Sequence, residues 1–382
     1  YARIKGALWD VLDVPCLTAE TLQEYAERHT VCPFELGLDS SLWSDVIIGD
    51  YNYLFDPVVH LVRFFESAGD YIFLVDEAHN LPGRAREMHS AALTKTSFYE
   101  AKKLLGKGKS SLKNALTKVN DVFIEWRHRA EEETAARDGR FGKTFFLKER
   151  SEEFDHLLNR LCEPLEAWLD DHREPDETHT ALLQLYFDVR AWLRVADTFD
   201  DHFVLQITAS GSEVRAAQLC LDPSAFLADS FALGRAAVLF SATLAPASYY
   251  KDLCGVPEAR AVALRSPFPA GNQGLFCIGN VSTRYKDRDA SLAIVAESLA
   301  TMVRARCGNY LAFFPSYAYM EQAYAQFKEH CPEINCIKQE NAMDEQQKAA
   351  FLAQFVPGPS QTLLGFAVMG GIFGEGVDLV GD

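Results

Sequence analysis

The pattern of apolar and polar residues divides this chain into segments of two kinds. Short runs of consecutive apolar residues, rich in β-branched and aromatic types, occur before residue 76 and again from residue 202 onward. Such runs predict the strands of α/β sheets. Between about residues 94 and 195, the apolar residues recur instead at helical spacing. We therefore predict an α/β protein that a helical segment interrupts.

The best-defined strand is predicted at residues 71–75, where an apolar run ends abruptly in Asp76 and Glu77. Five consecutive apolar residues are typical of a strand buried on both faces, as in a parallel sheet. Residues 45–50 predict a second short buried strand. Ligand sites in open α/β sheets lie beyond the carboxyl ends of the strands, so Asp76 is expected where a ligand would bind.

A further buried strand, predicted at residues 236–240, delivers Ser241 and Thr243 at its end. These two hydroxyl residues are two positions apart, so both point to one side if the chain stays extended. Since both strand ends should face one ligand cleft, we predict that the strands ending at Asp76 and at Ser241 are neighbours in one sheet. The runs 202–207 and 213–221 predict two more strands in this half of the chain.

The helical segment carries three apolar stripes at the spacing of one helix face. They are Leu112, Leu116, Val119, Phe123 and Trp126; Phe154, Leu157, Leu161, Leu165 and Trp168; and Leu182, Tyr186, Val189 and Leu193. The stripes predict helices that pack around a core of their own. We expect no catalytic or ligand-binding role for the residues of these stripes.

After residue 263 the apolar runs and helical stretches alternate. Strands are predicted at 310–314, 334–337 and 362–368, and helices at about 290–304 and 320–327. Alternating strands and helices indicate a second parallel sheet.

Composition narrows the class of protein. The net charge of −17 argues against a protein that coats nucleic acid without specificity, but not against a local basic groove. No apolar run approaches the roughly 20 residues that cross a bilayer, and we expect a cytoplasmic protein without a membrane partner. Nine cysteines at irregular positions favour reduced thiols. Seven of them are expected in the core: Cys162, Cys220, Cys254, Cys277, Cys307, Cys331 and Cys336.

The Asp76-Glu77-Ala78-His79 string is the strongest chemical feature. Asp76 can hold Mg²⁺, and the adjacent Glu77 can activate the water that attacks a γ-phosphate. The alternative is a strand that merely ends in a charged turn. The string is the DEAH form of the Walker B motif, and with Asn80 it resembles the XPD/DinG-type branch of superfamily 2 DNA helicases.

Other motifs follow in the order of this family. Ser241-Ala242-Thr243 matches motif III, residues 308–317 resemble motif IV, and residues 369–378 match motif V. The resemblance implies that ATP and Mg²⁺ bind at Asp76 and Glu77. It also implies that His79, Ser241 and Thr243 relay the nucleotide state to single-stranded DNA.

The motif V loop is rich in glycine, which permits close approach of the backbone to a ligand. Its predicted nucleotide-binding residues are Gly374, Glu375, Gly376 and Asp378. The printed sequence contains no phosphate-binding G-x-x-x-x-G-K-[ST] loop and no motif VI. We therefore expect the chain to be an inactive fragment of a larger enzyme.

Cys32, followed by Pro33, resembles the last ligand of the family's [4Fe–4S] domain. The resemblance implies that the other three cysteine ligands lie upstream of Tyr1. The alternative is an ordinary buried thiol.

Two segments are candidates for contact with nucleic acid. Tyr51, Asn52 and Tyr53 could stack on bases or sugars, or could pack against the next helix. Lys107 and Lys109 lie in a string of lysines that includes Lys102, Lys103, Lys113 and Lys118. That string forms either a solvated helix face or an edge that follows phosphates.

The predicted fold is α/β, with two RecA-like parallel-sheet lobes and an all-helical Arch insertion. The predicted domains are an iron–sulfur remnant at 1–40, lobe 1 at 41–93, the Arch at 94–200, the second part of lobe 1 at 201–262, and lobe 2 at 263–382. The predicted function is that of a fragment of a monomeric, ATP-dependent DNA helicase of repair or replication, and the resemblance implies travel in the 5′→3′ direction. The alternative is a RecA-like module that binds nucleic acid or has a regulatory role and has lost ATP turnover.

Overall fold

The structure is a computed structural model that describes residues 2–106, 110–136, 143–282 and 284–374. The chain divides into two units, Tyr1–Ala263 and Leu264–Asp382, and each is described here by itself. Along the described part of the chain, no helix is long and apolar enough to cross a membrane.

The first unit contains six strands among its described residues. They are β1 (Ile72–Val75), β2 (Ala91–Thr94), β3 (Lys143–Leu147), β4 (Phe203–Ser210), β5 (Glu213–Cys220) and β6 (Ala236–Leu239). Its helices are α1 (Ala2–Val11), α2 (Ala19–His29), α3 (Pro33–Ser41), α4 (Asn52–Phe55), α5 (Val62–Phe65), α6 (Leu81–Met88), α7 (Lys95–Leu104), α8 (Ser111–Ala136), α9 (Glu152–Asp171), α10 (Glu177–Thr198), α11 (Ser224–Phe231) and α12 (Ala247–Leu253).

Helices α1, α2 and α3 pack around a small core of their own, formed by Ala7, Val11, Ala26 and Leu36. Thr18 caps α2: its hydroxyl accepts a hydrogen bond from the Thr21 amide at 3.2 Å. Such a cap satisfies one of the amides that a helix start leaves without an internal partner.

Strands β1 and β6 pair in parallel, with Ile72 opposite Ala236 and Val75 opposite Leu239. This pairing confirms that the strands ending at Asp76 and Ser241 are neighbours in one sheet. Phe73 and Val75 face a core with α4, α6 and α11.

The other face of β1 is open, since Ile72 and Leu74 are 65% and 68% exposed. The expectation that β1 is buried on both faces was therefore wrong for the described chain.

The strand predicted at residues 45–50 is also absent from the described chain. This stretch has no regular secondary structure, and the Ile48 side chain is 94% exposed. An apolar run becomes a strand only where another strand supplies the hydrogen-bonding ladder. The described sheet consists of β1 and β6 alone, and neither pairs with this stretch.

The insertion contains α7, α8, α9 and α10, and the three predicted stripes contribute to one core. Phe123, Phe154 and Trp192 are fully buried there, and Phe154 meets both of the other rings edge-to-face. A four-stranded antiparallel sheet in the order β2-β5-β4-β3 shares this core.

The expectation of an all-helical insertion was therefore wrong in one respect. The strands predicted at 202–207 and 213–221 form part of this antiparallel sheet, not of the parallel β1-β6 sheet. β2 and β3 were not predicted, because runs of four or five residues beside long helical stripes give little periodic signal. β2 pairs with β5 and β3 pairs with β4, and the pairing of β4 with β5 joins all four strands in one sheet.

The chain leaves for the insertion and returns from it at one place. The Arg86 guanidinium donates to the Leu221 carbonyl at 2.8 Å, and the Cys220 amide donates to the Ser90 hydroxyl at 2.9 Å. The His89 ring stacks on Phe226, with 3.9 Å between ring centroids. Burial lowers the pKa of His89, so the neutral ring is favoured in this stack.

The second unit is a three-stranded parallel sheet flanked by helices, as predicted. Its strands are β7 (Asn309–Phe314), β8 (Asn335–Lys338) and β9 (Leu363–Val368), in the order β7-β9-β8. Its helices are α13 (Arg288–Ala305), α14 (Tyr317–His330) and α15 (Glu345–Leu352), with 3₁₀ turns at Ala270–Asn272 and Tyr285–Asp287. All six residues of the central strand β9 are buried.

The cysteines follow the prediction only in part. Cys162, Cys220, Cys254 and Cys331 are buried, but Cys277 and Cys307, which were also expected in the core, are exposed. Burial raises the pKa of the Cys220 and Cys254 thiols to about 11. These two thiols are structural, because the reactive species is the thiolate.

We predict that Asp155→Asn stabilises the insertion at neutral pH. Burial raises the pKa of the Asp155 carboxyl, although the Trp192 indole N–H donates to it at 2.8 Å and Arg150 lies 4.0 Å away. An acid whose pKa is raised on folding loses stability as pH rises from its unfolded pKa to its folded pKa. Asparagine keeps the acceptor for Trp192 and removes the charge, so Tm at pH 7 should rise by about 2–4 °C, with little change near pH 3.

The measurement is thermal unfolding of both forms across this pH range. Glu153→Gln removes an exposed charge from the same helix turn and serves as the control. A lower Tm for Asp155→Asn at pH 7 would mean that the pair with Arg150 stabilises the fold on balance.

Candidate active site

The candidate site lies where β1 and β6 end side by side. The parallel ladder continues past both strands: the Phe240 amide donates to the Val75 carbonyl at 3.0 Å, and the Ala78 amide donates to the Phe240 carbonyl at 3.1 Å. Ala78 is fully buried beneath this junction. The turn that carries Asp76 and Glu77 is therefore fixed against the residues that precede Ser241.

The peptide group between Asp76 and Glu77 is held at both ends. The Glu77 amide donates to Asp76 Oδ1 at 2.7 Å, and the Tyr51 hydroxyl donates to the Asp76 carbonyl. Glu77 itself has a φ of 44°, in the left-handed region. That conformation costs a residue other than glycine roughly 1–2 kcal/mol, so the surrounding contacts must hold it in place.

Glu77, His79 and Ser241 form a compact hydrogen-bonded group. His79 Nδ1 lies 2.8 Å from Ser241 Oγ and 3.2 Å from Glu77 Oε2. Ser241 Oγ lies 3.2 Å from Glu77 Oε2 and accepts from the Thr243 amide at 3.1 Å. The serine has a single hydroxyl proton.

One proton arrangement satisfies all of these contacts. His79 Nδ1–H donates to Ser241 Oγ, and the serine hydroxyl donates to the Glu77 carboxylate, which can only accept. A movement of Glu77 therefore changes the contacts of Ser241 and His79 directly. The Thr243 hydroxyl, 3.4 Å from Ser241 Oγ, is at the edge of this group.

The acidic groups are accessible, although the scaffold beneath them is buried. The Glu77 side chain is 49% exposed and the His79 side chain 23%, and Asp76 is exposed. Carboxylate oxygens that keep access to water are the ligands that Mg²⁺ prefers. The residues present therefore fit a Mg²⁺ site at Asp76, and the Glu77 carboxylate lies next to it.

The candidate nucleic-acid residues at 51–53 divide into two groups. The Tyr51 ring is half-buried, packs edge-to-face on Phe55 and directs its hydroxyl to the Asp76 carbonyl. The Asn52 amide donates to Asp50 Oδ1 at 2.9 Å and starts α4. Tyr53 is 36% exposed and remains a candidate for stacking. The scaffold role of Tyr51 was not predicted, because no local pattern shows a contact 25 residues away.

Several other predicted site residues stand apart or lie outside the described chain. Lys107, Lys109, Glu375, Gly376 and Asp378 belong to the residues that the structure does not describe. Gly374 follows β9, and its amide donates to the Gly371 carbonyl at 2.8 Å in a tight turn. Within the lysine string, Lys113 is buried and its ammonium donates to the Gly106 carbonyl, so it serves the fold.

Cys32 is exposed and precedes α3 as its N-terminal cap residue. An accessible thiol has the donor chemistry of an iron–sulfur ligand. Over the described ranges, however, no group of three or more His, Cys, Asp or Glu side chains could hold a metal ion. The described residues thus supply a single candidate ligand and not a cluster site.

Two family models match this chain. DEAD_2 covers residues 7–98, which include the DEAH string, and the helicase C-terminal domain covers residues 299–382.

Curated relatives match nearly the whole chain at low identity. The general transcription and DNA repair factor IIH helicase subunit XPD of Schizosaccharomyces pombe is 23% identical, over 95% of this chain and 54% of that protein. The ATP-dependent DNA helicase CHL1 of Coccidioides immitis is 20% identical, over 94% of this chain and 47% of that protein. The chain thus spans about half the length of these relatives.

Among solved structures, S. tokodaii Xpd4 is similar in fold. It aligns with a TM-score of 0.51 and 15% identity, over 92% of this chain and 70% of that one. The likeness agrees with two RecA-like lobes and an insertion rich in helices. The two family models match in the order that the motifs predict, and the chain is similar to the XPD-type branch of the superfamily 2 helicases.

Proposed function

We propose that the protein containing this chain is an ATP-dependent DNA helicase that translocates on single-stranded DNA. The observation that carries the proposal is the hydrogen-bonded group of Glu77, His79 and Ser241 at the shared exit of two parallel strands. Similarity to XPD-type helicases supplies the reaction class, and the intact DEAH and Ser-Ala-Thr strings favour turnover over a silent binding module.

Each acidic residue has a distinct role in this proposal. Asp76 would hold Mg²⁺, which neutralises charge on the nucleotide phosphates when bound. Glu77 would orient the attacking water and take up its proton. In this step the Glu77 carboxylate is proposed to exchange its contact with Ser241 for a contact with the water. Gly374, Glu375, Gly376 and Asp378, in motif V, are proposed nucleotide-binding residues.

The same exchange would connect hydrolysis to DNA. When Glu77 leaves the Ser241 hydroxyl, that hydroxyl and His79 Nδ1 lose a shared partner. Ser241 precedes Thr243 and the loop that leads to α12. The change in hydrogen bonding at Ser241 would therefore reach Thr243 and this loop. Tyr53, Lys107 and Lys109 are the proposed contacts to the strand.

Four finer features of the function stay proposals. These are travel in the 5′→3′ direction, a role in DNA repair, a cytoplasmic location and a monomeric state. Cys32 is proposed as one ligand of a [4Fe–4S] cluster, and no step of the mechanism above depends on that cluster.

We predict that Glu77→Gln abolishes ATP turnover and leaves nucleotide binding nearly unchanged. The amide keeps the size of the side chain but cannot take up the proton, and loss of a general base typically costs about 10²–10⁴ in rate. The measurement is ATP hydrolysis by the full-length protein with single-stranded DNA, beside the affinity for a nucleotide analogue. Glu87→Gln, on the exposed face of α6, is the matched control. Undiminished turnover of Glu77→Gln would remove Glu77 from this role.

We also predict that Ser241→Ala uncouples hydrolysis from strand separation. Alanine removes the hydroxyl that His79, Glu77 and the Thr243 amide share. Strand separation per ATP hydrolysed should fall roughly 2- to 30-fold, which corresponds to about 0.5–2 kcal/mol of coupling. Ser212→Ala, in the exposed turn between β4 and β5, is the control. Equal losses in hydrolysis and separation would contradict a coupling role.

A further inference from the structure

We propose that Tyr51 is a positioning residue that sets the direction of Glu77 through the Asp76–Glu77 peptide group. The inference rests on the proposed function and assigns to Tyr51 a role other than base stacking. It starts from the hydrogen bond that the Tyr51 hydroxyl donates to the Asp76 carbonyl.

That carbonyl belongs to the peptide group that leads into Glu77. The other end of the same group, the Glu77 amide, donates to Asp76 Oδ1 at 2.7 Å. A planar peptide group held at its oxygen and at its N–H cannot rotate. On the other side of Glu77, the Ala78 amide donates to the Phe240 carbonyl at 3.1 Å. The Glu77 backbone, with its left-handed φ of 44°, is therefore held between two fixed peptide groups.

The Tyr51 hydroxyl can act as an anchor because the ring that carries it is itself fixed. The Tyr51 ring packs edge-to-face on Phe55, with 6.3 Å between centroids, and Phe55 packs on Phe231 at 5.3 Å. The Tyr51 carbonyl also accepts the Phe55 amide at 2.9 Å, at the start of α4. The anchor therefore belongs to the same core that supports β1.

Loss of this anchor should affect Glu77 more than the fold. Without the hydroxyl, the Asp76–Glu77 peptide is held at its N–H alone, and Glu77 can relax toward the right-handed region that glutamate prefers. The carboxylate would then point away from the group that includes Ser241 Oγ, 3.2 Å from it in this structure. Fewer molecules would present Glu77 to the attacking water.

Tyr53 lies in α4, the short helix that Tyr51 precedes as its N-cap residue, and differs from Tyr51 in exposure. Tyr53 is 36% exposed, and Tyr51 is half-buried with its hydroxyl engaged in the turn. A strand that contacts Tyr53 would therefore push on α4, and α4 carries the anchor of the Glu77 peptide. Contact with DNA would therefore affect the general base Glu77 through α4 as well as through Ser241.

The test compares Tyr51→Phe with Tyr71→Phe in the full-length protein. Tyr51→Phe keeps the ring in the core and removes only the hydroxyl. The ring of Tyr71 packs on Phe65 in the same lobe, so Tyr71→Phe controls for loss of a hydroxyl. We expect Tyr51→Phe to lower kcat for ATP roughly three- to tenfold, the effect of one hydrogen bond, with KM and DNA affinity unchanged. Tyr71→Phe should leave kcat unchanged.

A double-variant measurement separates positioning of Glu77 from a general loss of structure. In the Glu77→Gln background, Tyr51→Phe should change the residual turnover by less than about twofold, because its effect acts through the missing carboxylate. Additive losses in the double variant would overturn the proposal, as would wild-type kcat in Tyr51→Phe.

A third outcome points to base stacking. If Tyr51→Phe matches wild type and Tyr51→Leu weakens DNA binding while keeping kcat at saturating DNA, Tyr51 stacks on bases and the positioning role is wrong. If the wild-type protein shows no turnover at all, the proposed helicase function fails first, and the positioning role fails with it.

Discussion

The fold and the candidate chemistry both depend on the hydrogen bonds that join the ends of β1 and β6. The contacts of Phe240 with Val75 and Ala78 bring together two loops that lie more than 160 residues apart in the chain. The insertion can be large only if it leaves and returns at one place. The contacts of Arg86 with Leu221 and of Ser90 with Cys220 meet that condition.

The same junction explains why the site can change state. Glu77 holds a disfavoured backbone conformation, and its carboxylate is shared between Ser241 and His79. Each of these contacts is worth about 1 kcal/mol, so a bound nucleotide that offers a better partner can redirect the group. A buried base with strong fixed partners would not respond in this way.

Sequence patterns predicted those features that depend on local or strongly periodic signals. The apolar run before Asp76, the parallel pairing with the strand before Ser241 and the three-stranded second sheet are all present. The patterns failed where a strand depends on distant partners. Ile48 lies in an apolar run that pairs with no described strand. β3 was not predicted because it lies between two long helical stripes. The anchoring role of Tyr51 depends on a contact that only the folded chain brings about.

We propose that Asp76 and Glu77 form a working nucleotide site that responds to DNA. The most direct measurement is Mg²⁺-dependent ATP hydrolysis by the full-length wild-type protein, with and without single-stranded DNA. We predict ATP turnover that requires Mg²⁺ and rises severalfold when single-stranded DNA is added. Tight binding of single-stranded DNA without any ATP turnover would contradict it and would identify the chain as part of a silent binding module.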